Sequence, residues 1–395
     1  MQEASIAYLD HAATTPIRPD VLDAMVSVLG HDFGNPSGGH SVARAAKADL
    51  EAARESVASD LGASPSEIVF TNSGTEADNL AIFGAARAAR AAGHGDAIVV
   101  TSIEHKAVLA AARRLATEGF SVSEAPVTPG GIVDLEALGD LLDEQTGLVS
   151  LMLVNNEVGT IQPLPEVVEL VRARSPRAVI HTDAVQAAAW VDVATLAADA
   201  ELISVSAHKL GGPKGTGALV VRGLTPLVPL LEGGGQEHGR RAGTSNVAGA
   251  VGLAQALRAT VDERDVTIAR VTDLRDRLRG RLLEIPDSWE NGDAAVKVAG
   301  NVHVGFGGVE SEALLVLADR AGVCAAAGSS CSSGATEPSY VLAAMGLDPA
   351  DAGASIRLSL GFASADTDVD RALAVLPVAV EQLRAAGGTK IRATA

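Results

Sequence analysis

Cysteine is scarce in this chain: only two of the 395 residues, Cys324 and Cys331, are cysteines. Two cysteines cannot form a disulfide framework, and their spacing does not match a zinc-ligand pair, so we expect no metal site. Cys331 lies in the stretch GSSCSSG (328–334), where glycine and serine offer little packing. A structural cysteine prefers an apolar core, whereas a reactive one needs exposure and access to its partner.

Basic residues, aromatics and long apolar runs are also few. The 31 Lys and Arg against 49 Asp and Glu leave a net charge of −18, which argues against nucleic acid as a main ligand. The longest apolar run, LVSLMLV (148–154), is too short to span a bilayer. The N-terminal MQEASIAYLD has neither a basic nor an apolar signal region. We therefore expect a cytoplasmic protein with no membrane partner.

What the sequence does contain is 47% apolar residues with only 3% aromatics, so its core must consist mainly of Ala, Val, Leu and Ile. Short β-branched runs alternate with amphipathic helical patterns, which predicts an α/β fold with a mostly parallel sheet covered by helices. The predicted strands of this sheet are 67–71, 97–102, 148–154, 178–183, 201–206 and 217–222.

The pattern changes after about residue 250. A long helical stretch (247–271) leads to a mixture of strands and helices, which predicts a smaller α+β domain. Because 395 residues exceed what one core usually serves, we expect two domains. The predicted large domain covers 15–255, and the small domain combines 1–14 with 256–395. The strands predicted in the small domain are 301–306 and 355–362, and a C-terminal helix is predicted near 366–386.

A lysine, Lys209, follows an apolar strand and precedes the turn Gly211-Gly212-Pro213 in SVSAHKLGGPKGTG (204–217). For an average lysine, a solvated surface position is the better interpretation. A lysine at a strand end that faces a turn is, however, suited to form a Schiff base with an aldehyde, as in pyridoxal 5′-phosphate (PLP) enzymes. Ligands of open α/β sheets bind at the carboxyl ends of the strands, where this lysine lies.

A PLP site also needs a carboxylate for the pyridine nitrogen and a general acid/base near the reacting carbon. Asp183 in HTDAVQ (181–186) ends an apolar strand, although it could simply cap a following helix. His105 in SIEHKAV (102–108) stands at another strand end, and a lone histidine is more often structural.

The cofactor's phosphate and the substrate's carboxylate make two further demands. Gly74 and Thr75 stand between a strand and a helix, where backbone N–H groups bind phosphate, although the same residues fit an ordinary capping box. Ser206 and His208 could add side-chain donors. Arg357, inside the apolar strand SIRLSLG, could bind a carboxylate with both nitrogens or belong to a buried ion pair.

With these residues assembled, the chain resembles the cysteine desulfurases of the iron–sulfur-assembly type, which are PLP enzymes of the class-V aminotransferase family with fold type I. The resemblance covers nearly the whole chain, from YLDHAATTP (8–16) to SIRLSLG (355–361). Between these ends it passes through FGNPS (33–37), NSGTEADN (72–79), EHKAV (104–108), VNNEVGTIQP (154–163), HTDAVQ, SAHKLGGPKGTG, GGGQEHGRRAGTSN (233–246) and GSSCSSGATEPSYVL (328–342).

The resemblance implies a role for each site residue. Lys209 would hold PLP and act on the substrate's Cα proton, Asp183 would pair with the pyridinium, and His105 would stack on the ring and assist proton transfer. Gln186 would bind the phenolic oxygen. The implied phosphate ligands are Gly74, Thr75, Ser206, His208 and Thr244 from the neighbouring subunit. The implied ligands of the substrate are Arg357, Asn156 and Asn35.

The resemblance places Cys331 on the family's nucleophile. The implied reaction converts L-cysteine to L-alanine and leaves the sulfur on Cys331 as a persulfide, which a sulfur-acceptor protein such as an iron–sulfur scaffold would take up. A homodimer with shared active sites is implied as well. A selenocysteine lyase or an aminotransferase of the same fold is the alternative. His238 stands where the pattern has arginine, and for Cys324 we expect a buried, inert position.

Overall fold

The computed structural model of the chain describes residues 6–328 and 339–387. Its strands are β1 (Ala7–Tyr8), β2 (Ile68–Thr71), β3 (Ala97–Thr101), β4 (Ser121–Ala125), β5 (Thr146–Ser150), β6 (Val179–Asp183), β7 (Leu202–Ser206), β8 (Gly217–Val221), β9 (Ser288–Glu290), β10 (Asn301–Phe306), β11 (Val323–Cys324), β12 (Ala326–Ala327) and β13 (Ser355–Ser359). The helices are α1 (Pro19–His31), α2 (Ser41–Asp60), α3 (Gly74–Ala91), α4 (Lys106–Thr117), α5 (Leu135–Leu141), α6 (Leu164–Arg174), α7 (Val193–Leu196), α8 (Val247–Leu282), α9 (Ser311–Arg320), α10 (Tyr340–Ala344), α11 (Pro349–Gly353) and α12 (Asp366–Gly387).

A seven-stranded sheet with the order β2-β8-β7-β6-β5-β3-β4 forms the centre of the larger part of the chain. The neighbours from β7 through β4 are parallel, and β8 pairs antiparallel with both β7 and β2. Alternate residues of β3 enter different cores: Val99 belongs to the core that includes residues of α2 and α6, and Ile98 belongs to the core that includes residues of α3 and α4. This arrangement confirms the predicted mostly parallel sheet covered by helices.

The edge strand β4 was not among the predicted strands. Its sequence, Ser121-Val122-Ser123-Glu124-Ala125, has no apolar run, and only Ala125 is fully buried. Because β3 is the one strand that pairs with β4 in the described part of the chain, polar side chains are tolerated along the open side of β4. The predicted strands of the large sheet each correspond to a strand in the structure.

The smaller part of the chain is built on a four-stranded sheet with the order β12-β13-β10-β9, in which the paired strands are antiparallel. The N-terminal strand β1 pairs with β11 in this region, so the start of the chain packs against its C-terminal part. A separate hydrophobic core forms here around Phe306, Leu314 and Leu376.

Helix α8 contributes to both cores. Leu253 and Leu257 pack in the core of the large sheet, whereas Leu274 and Leu278 pack in the smaller one. The helix continues to Leu282, beyond the predicted end at residue 271, because its charged residues stay on the outer face while leucines keep the helical spacing. The division at residue 255 into two domains stays a prediction. Among residues 6–328 and 339–387, no helix is long and apolar enough to cross a membrane.

Candidate active site

A cavity of about 350 Å³ opens where several strands of the large sheet end. Strand β6 ends at Asp183 and β7 at Ser206, while the loop after β3 carries His105 and β2 leads into α3 at Gly74. Parallel strands bring their carboxyl ends to one edge of the sheet, and for this reason residues distant in sequence meet here. The predicted site residues that line the cavity are Gly74, Thr75, His105, Asn156, Asp183, Gln186, Ser206, His208, Lys209 and Arg357.

Lys209 lines this cavity at the end of a short turn that follows β7. Its Nζ donates hydrogen bonds to the carbonyl oxygens of Ala12, at 2.5 Å, and Ala13, at 2.7 Å. Gln186 donates to the same Ala12 oxygen at 2.7 Å. Gly211 completes the turn with a φ of +85°, and a Cβ there would lie 2.6 Å from the side chain of Arg18. The turn therefore needs glycine to keep Lys209 at the sheet edge.

One end of the cavity is shaped for an anion. The Ser73 hydroxyl caps α3 by accepting from the backbone N–H of Glu76 at 3.1 Å, while the Glu76 carboxylate accepts from the backbone N–H of Asn72 at 3.0 Å and not from that of Ser73, so only half of the predicted capping box is present. The first-turn N–H groups of an α-helix have no partner inside the helix, and Gly74 and Thr75 occupy that turn of α3. A Cβ on Gly74 would lie 2.7 Å from Val185.

Ser206 adds a hydroxyl to this end of the cavity. It is 2% exposed, and its Oγ has no hydrogen-bond partner among the described residues. A buried hydroxyl without a partner is costly unless a ligand completes its hydrogen bonding. His208 lies nearby with its Nδ1 3.2 Å from the Thr14 hydroxyl, and burial lowers the pKa of its imidazole to about 4. The neutral histidine and the free hydroxyl are suited to hydrogen-bond a phosphate.

A second part of the cavity is acidic. Atoms of Asp78, His105 and Asp183 that could bind a ligand lie within 4.8 Å of one another, and burial raises the pKa of both carboxyls. The His105 Nδ1 accepts the Ala107 backbone N–H at 3.2 Å, so the neutral ring carries its proton on Nε2. Two buried carboxyls next to each other favour a ligand that brings a positively charged N–H, as a protonated pyridine does.

A chain of buried polar side chains lies next to Asp78, whose Oδ1 is 3.6 Å from His181 Nε2. The Ser150 hydroxyl lies 2.9 Å from His181 Nδ1, and His181 Nε2 lies 3.0 Å from the Ser204 hydroxyl. Burial lowers the pKa of His181 to about 3, which keeps the ring neutral. A neutral imidazole has one donor and one acceptor nitrogen, so His181 donates to one of these two hydroxyls and accepts from the other.

Glu104, the residue before His105, is fully buried under the same end of the site. Its Oε1 accepts from the Thr101 hydroxyl at 2.8 Å and from the Met152 backbone N–H at 2.6 Å. Burial, the largest cause, raises the pKa of the Glu104 carboxyl to about 8. The side chain is therefore largely protonated at neutral pH.

Arg357 lies in β13 and is 2% exposed. Its Nη1 donates to the Asn156 carbonyl oxygen at 2.7 Å, and its Nη2 lies 2.8 Å from Asp10 Oδ1. The ion pair considered as an alternative is thus present, and the guanidinium lines the cavity as well. The buried Asn156 Oδ1 beside it has no hydrogen-bond partner among the described residues, so it could accept a donor from a ligand.

Two predicted site residues that the structure describes, Asn35 and Thr244, are not among those lining the cavity. Asn35 is exposed, and its Oδ1 accepts from the Ser37 backbone N–H at 3.0 Å. Thr244 is also exposed. Cys331 lies outside the described residues. The roles predicted for these three residues remain predictions.

Several residues that line the cavity were not predicted from the sequence as site residues. Asp78 follows Gly74 by one helical turn of α3, and this spacing could have placed it on the same face. Tyr340, one of only two tyrosines, lines the cavity and donates to the Glu104 carbonyl oxygen at 2.7 Å. Ala12 and Ala13 contribute backbone oxygens, for which side-chain chemistry gives no signal.

Cys324 is not buried as expected. It lies half-buried in β11, a two-residue strand whose pairing partner among residues 6–328 and 339–387 is β1. Such a short edge pair cannot cover both sides of a side chain. Burial is still the first cause that raises the pKa of the Cys324 thiol, and the carboxylates of Asp319 and Asp10 raise it further. A raised pKa lowers its thiolate fraction.

The residues around the cavity fit PLP in their donor set: an amine on Lys209, buried carboxyls at one end, and an unpartnered hydroxyl at a helix start at the other. The family model for class-V aminotransferases matches residues 7–372. The chain is 46% identical over 387 residues to an IscS-like cysteine desulfurase of Mycobacterium tuberculosis, which covers 96% of this chain and 98% of that protein.

A second sequence relative and a solved structure indicate the same family. The chain is 42% identical over 382 residues to the cysteine desulfurase IscS of Methanosarcina thermophila, covering 97% of this chain and 94% of that one. A solved structure of a NifS-like protein superposes with a TM-score of 0.90 at 35% identity, covering 95% of this chain and 100% of that one. The chain belongs to the class-V aminotransferase family of PLP-dependent enzymes and, within it, to the cysteine desulfurases. The predicted fold type, cofactor and enzyme class are thereby confirmed.

Proposed function

We propose that the residues around this cavity convert L-cysteine to L-alanine and pass the sulfur to Cys331. The observation that carries the proposal is the meeting of Lys209, Asp183 and Arg357 around one space of about 350 Å³. These residues come from three different parts of the chain and supply an amine, a carboxyl and a guanidinium. PLP, when bound there, supplies an electron sink for the bonds at the substrate's Cα.

Each residue has a separate task at the cofactor. Lys209 would hold it through its amine and would move the proton at the substrate's Cα. Asp183 would accept a hydrogen bond from the pyridine N–H, Gln186 would donate to the ring's oxygen, and His105 would stack on the ring and assist proton transfer. Gly74, Thr75, Ser206 and His208 would hold the phosphate.

The substrate is held by its carboxylate. Arg357 binds that carboxylate with its planar guanidinium, and Asn156 adds a polar contact, with Asn35 as a further ligand. The Cys331 thiolate then attacks the substrate's sulfur. The new S–S bond forms as the substrate's C–S bond breaks, and the bonding electrons stay on the carbon that becomes the methyl group of alanine.

The active form is a homodimer in this proposal. Helix α1 supports it, because Leu22, Val26 and Leu29 form an exposed apolar stripe at helical spacing that continues to Phe33. Phe33 is 77% exposed, and a contiguous stripe of this kind usually marks a contact surface. In the dimer Thr244 adds its hydroxyl to the phosphate site of the partner subunit.

Sulfur leaves the enzyme from Cys331. The nucleophile must be a free thiolate, and cysteines stay reduced in the cytoplasm, which supports a cytoplasmic location. The acceptor is a protein whose own nucleophile approaches Cys331, such as an iron–sulfur scaffold.

The proposal is tested by incubating the PLP-loaded protein with L-cysteine and an external thiol. We expect equal amounts of alanine and sulfide to accumulate. A protein that binds PLP and yields neither product would refute the proposal. Sedimentation at several concentrations tests the dimer, and a monomer that turns over fully would contradict it.

A further inference from the structure

Three consecutive residues of the segment 233–246, here called the anchor segment, have left-handed backbone conformations. The φ angles are +48° for Glu237, +56° for His238 and +77° for Gly239. Within residues 6–328 and 339–387, the other non-glycine residue with a positive φ is Asp287. Such conformations persist only where surrounding contacts hold them, and they are typical of functional segments.

A buried ion pair holds this backbone in place. Glu237 and Arg54 are joined by two hydrogen bonds, Nη1 to Oε2 at 2.7 Å and Nη2 to Oε1 at 2.9 Å, and both side chains are 4% exposed. Glu237 Oε2 also accepts from the Phe70 backbone N–H at 2.9 Å, and Arg54 donates to the Ile68 carbonyl oxygen at 2.8 Å. The pair thus attaches the anchor segment to β2, the strand that leads into the phosphate end of the cavity.

Two arginines add contacts at the same corner. Arg240 donates to the Ser66 carbonyl oxygen at 3.0 Å, and Arg241 pairs with Glu76 in the first turn of α3 at 2.8 Å. Gln236 closes the segment on itself by accepting from the Gly243 backbone N–H at 3.2 Å. The residue that follows this closed turn is Thr244, which is exposed.

The far side of Thr244 is fixed as well. Asn246 caps α8 by accepting from the Gly249 backbone N–H at 3.0 Å. Thr244 therefore lies between a turn held by Glu237 and the start of a long helix, yet it does not line the cavity of its own chain. An exposed hydroxyl on a rigidly held backbone is suited to bind a ligand in the site of another subunit.

We infer that Glu237 is a positioning residue that holds Thr244 in place for the phosphate site of the partner subunit. The inference rests on the proposed dimer. A buried carboxylate and guanidinium with a strained backbone stabilise a fold less than packed apolar residues would. What the arrangement adds is a defined direction for the chain that leads to Thr244.

His238 fits the same interpretation. Its side chain is exposed, and histidine is among the non-glycine residues enriched in the left-handed region. Histidine at this position is therefore compatible with the left-handed backbone of the anchor segment.

Mixed dimers test whether Glu237 acts on the partner's site. One chain keeps Lys209 and is otherwise unchanged, and its partner carries Lys209→Ala together with Glu237→Gln. In the second arrangement the chain that keeps Lys209 carries Glu237→Gln, and its partner carries Lys209→Ala alone. The readout is the PLP concentration that gives half of the visible absorbance of Lys209-bound cofactor, so it does not depend on cysteine turnover.

The reference is an unchanged chain paired with a Lys209→Ala chain. We expect the first arrangement to need at least about tenfold more PLP than the reference and the second to stay within about twofold. The inference would be overturned if PLP binding were weakened in the second arrangement alone, equally in both arrangements, or in neither. A monomeric protein would overturn it together with the dimer, whereas failure of cysteine turnover leaves the binding result intact.

A matched control is Glu290→Gln in place of Glu237→Gln. Glu290 is also a buried carboxylate, 9% exposed and paired with Lys297 at 2.8 Å, but it lies in the smaller sheet. Its replacement should leave the PLP requirement within about twofold of the reference. If the Glu237→Gln chain does not accumulate, Arg240→Ala takes its place in both arrangements. The same asymmetry, at smaller size, is then expected, and its absence overturns the inference.

Discussion

Arg357 and Asp10 join the two ends of the chain at the active site. The guanidinium of Arg357, in the last strand of the smaller sheet, lies 2.8 Å from the carboxylate of Asp10, just after the N-terminal strand. The backbone of Asp10 also forms a parallel β-bridge with Ser359, the last residue of β13. A substrate carboxylate must therefore bind a guanidinium that one carboxylate already orients, and this leaves little freedom in the direction of its nitrogens.

Replacing Arg357 with lysine tests this arrangement. Lysine keeps the positive charge but loses the planar pair of donors, so it cannot contact Asp10, Asn156 and a substrate together. We predict that Arg357→Lys raises the KM for L-cysteine by at least about tenfold, or roughly 1.4 kcal/mol, while PLP loading stays unchanged. Steady-state kinetics with a cofactor absorbance measurement would check it. An unchanged KM would show that the carboxylate is bound elsewhere.

The two cysteines allow a matched comparison. Cys331→Ala should abolish sulfide release, because no thiolate remains to take the substrate's sulfur, and PLP should still bind. Cys324→Ser should leave turnover within about twofold, since its thiol has a raised pKa and lies on the short strand β11 away from the cavity. Unchanged desulfuration by Cys331→Ala would favour a selenocysteine lyase or an aminotransferase instead.

Replacing each of two glycines with alanine distinguishes an effect on the phosphate site from an effect on helix stability. A Cβ on Gly74 would lie 2.7 Å from Val185 and 3.3 Å from Ser206, at the anion end of the cavity. We predict that Gly74→Ala weakens PLP binding by at least about tenfold. At Gly280, within α8, no described atom beyond the adjoining residues and the helix's own backbone lies within 4 Å of the position that a Cβ would occupy, so Gly280→Ala should stabilise the helix by roughly 0.5–1 kcal/mol.

The measurements are a PLP titration and thermal unfolding of each variant. For Gly280→Ala the PLP affinity should match that of the unchanged protein. Normal PLP binding by Gly74→Ala would mean that the phosphate does not approach the start of α3.

Much of the fold could be predicted because its signals are local. The strands of the large sheet are buried on both faces and appear as short apolar runs, and β4 was missed because an edge strand needs no such run. The length of α8 was underestimated because its second half buries a narrower stripe, against the smaller core.

The site was predicted where chemistry depends on side-chain type and strand ends. Lys209, Asp183 and His105 each stand directly after a buried strand or close to its end, and the sheet brings them together. Contacts made by backbone atoms, such as those of Ala12, could not be predicted in this way. The exposure of Cys324 was also missed, since it depends on how few neighbours a two-residue edge strand has.

Glu104 gives a prediction for the pH dependence of stability. Burial raises the pKa of its carboxyl from 4.5 to about 8, so the folded protein disfavours the ionised form. Below the pKa that the Glu104 carboxyl has in the unfolded chain, its burial costs no stability. As the pH rises from there towards 8, the free energy of unfolding falls. At about 1.4 kcal/mol per pKa unit, the loss reaches several kcal/mol. Glu104→Gln keeps an oxygen for Thr101 and Met152 but cannot ionise.

We therefore expect the melting temperature of PLP-free Glu104→Gln to rise relative to the unchanged protein as the pH increases from about 5 to 8. Glu118→Gln is the control, because hydrogen bonds from Arg87 hold the pKa of the Glu118 carboxyl below its usual range. Glu118 is ionised in both the folded and unfolded states over the upper part of this interval, so its effect on melting should change little with pH. A constant difference for Glu104→Gln across the interval would mean that Glu104 is ionised in the folded protein, and that the acidic end of the site carries one more negative charge than its burial implies.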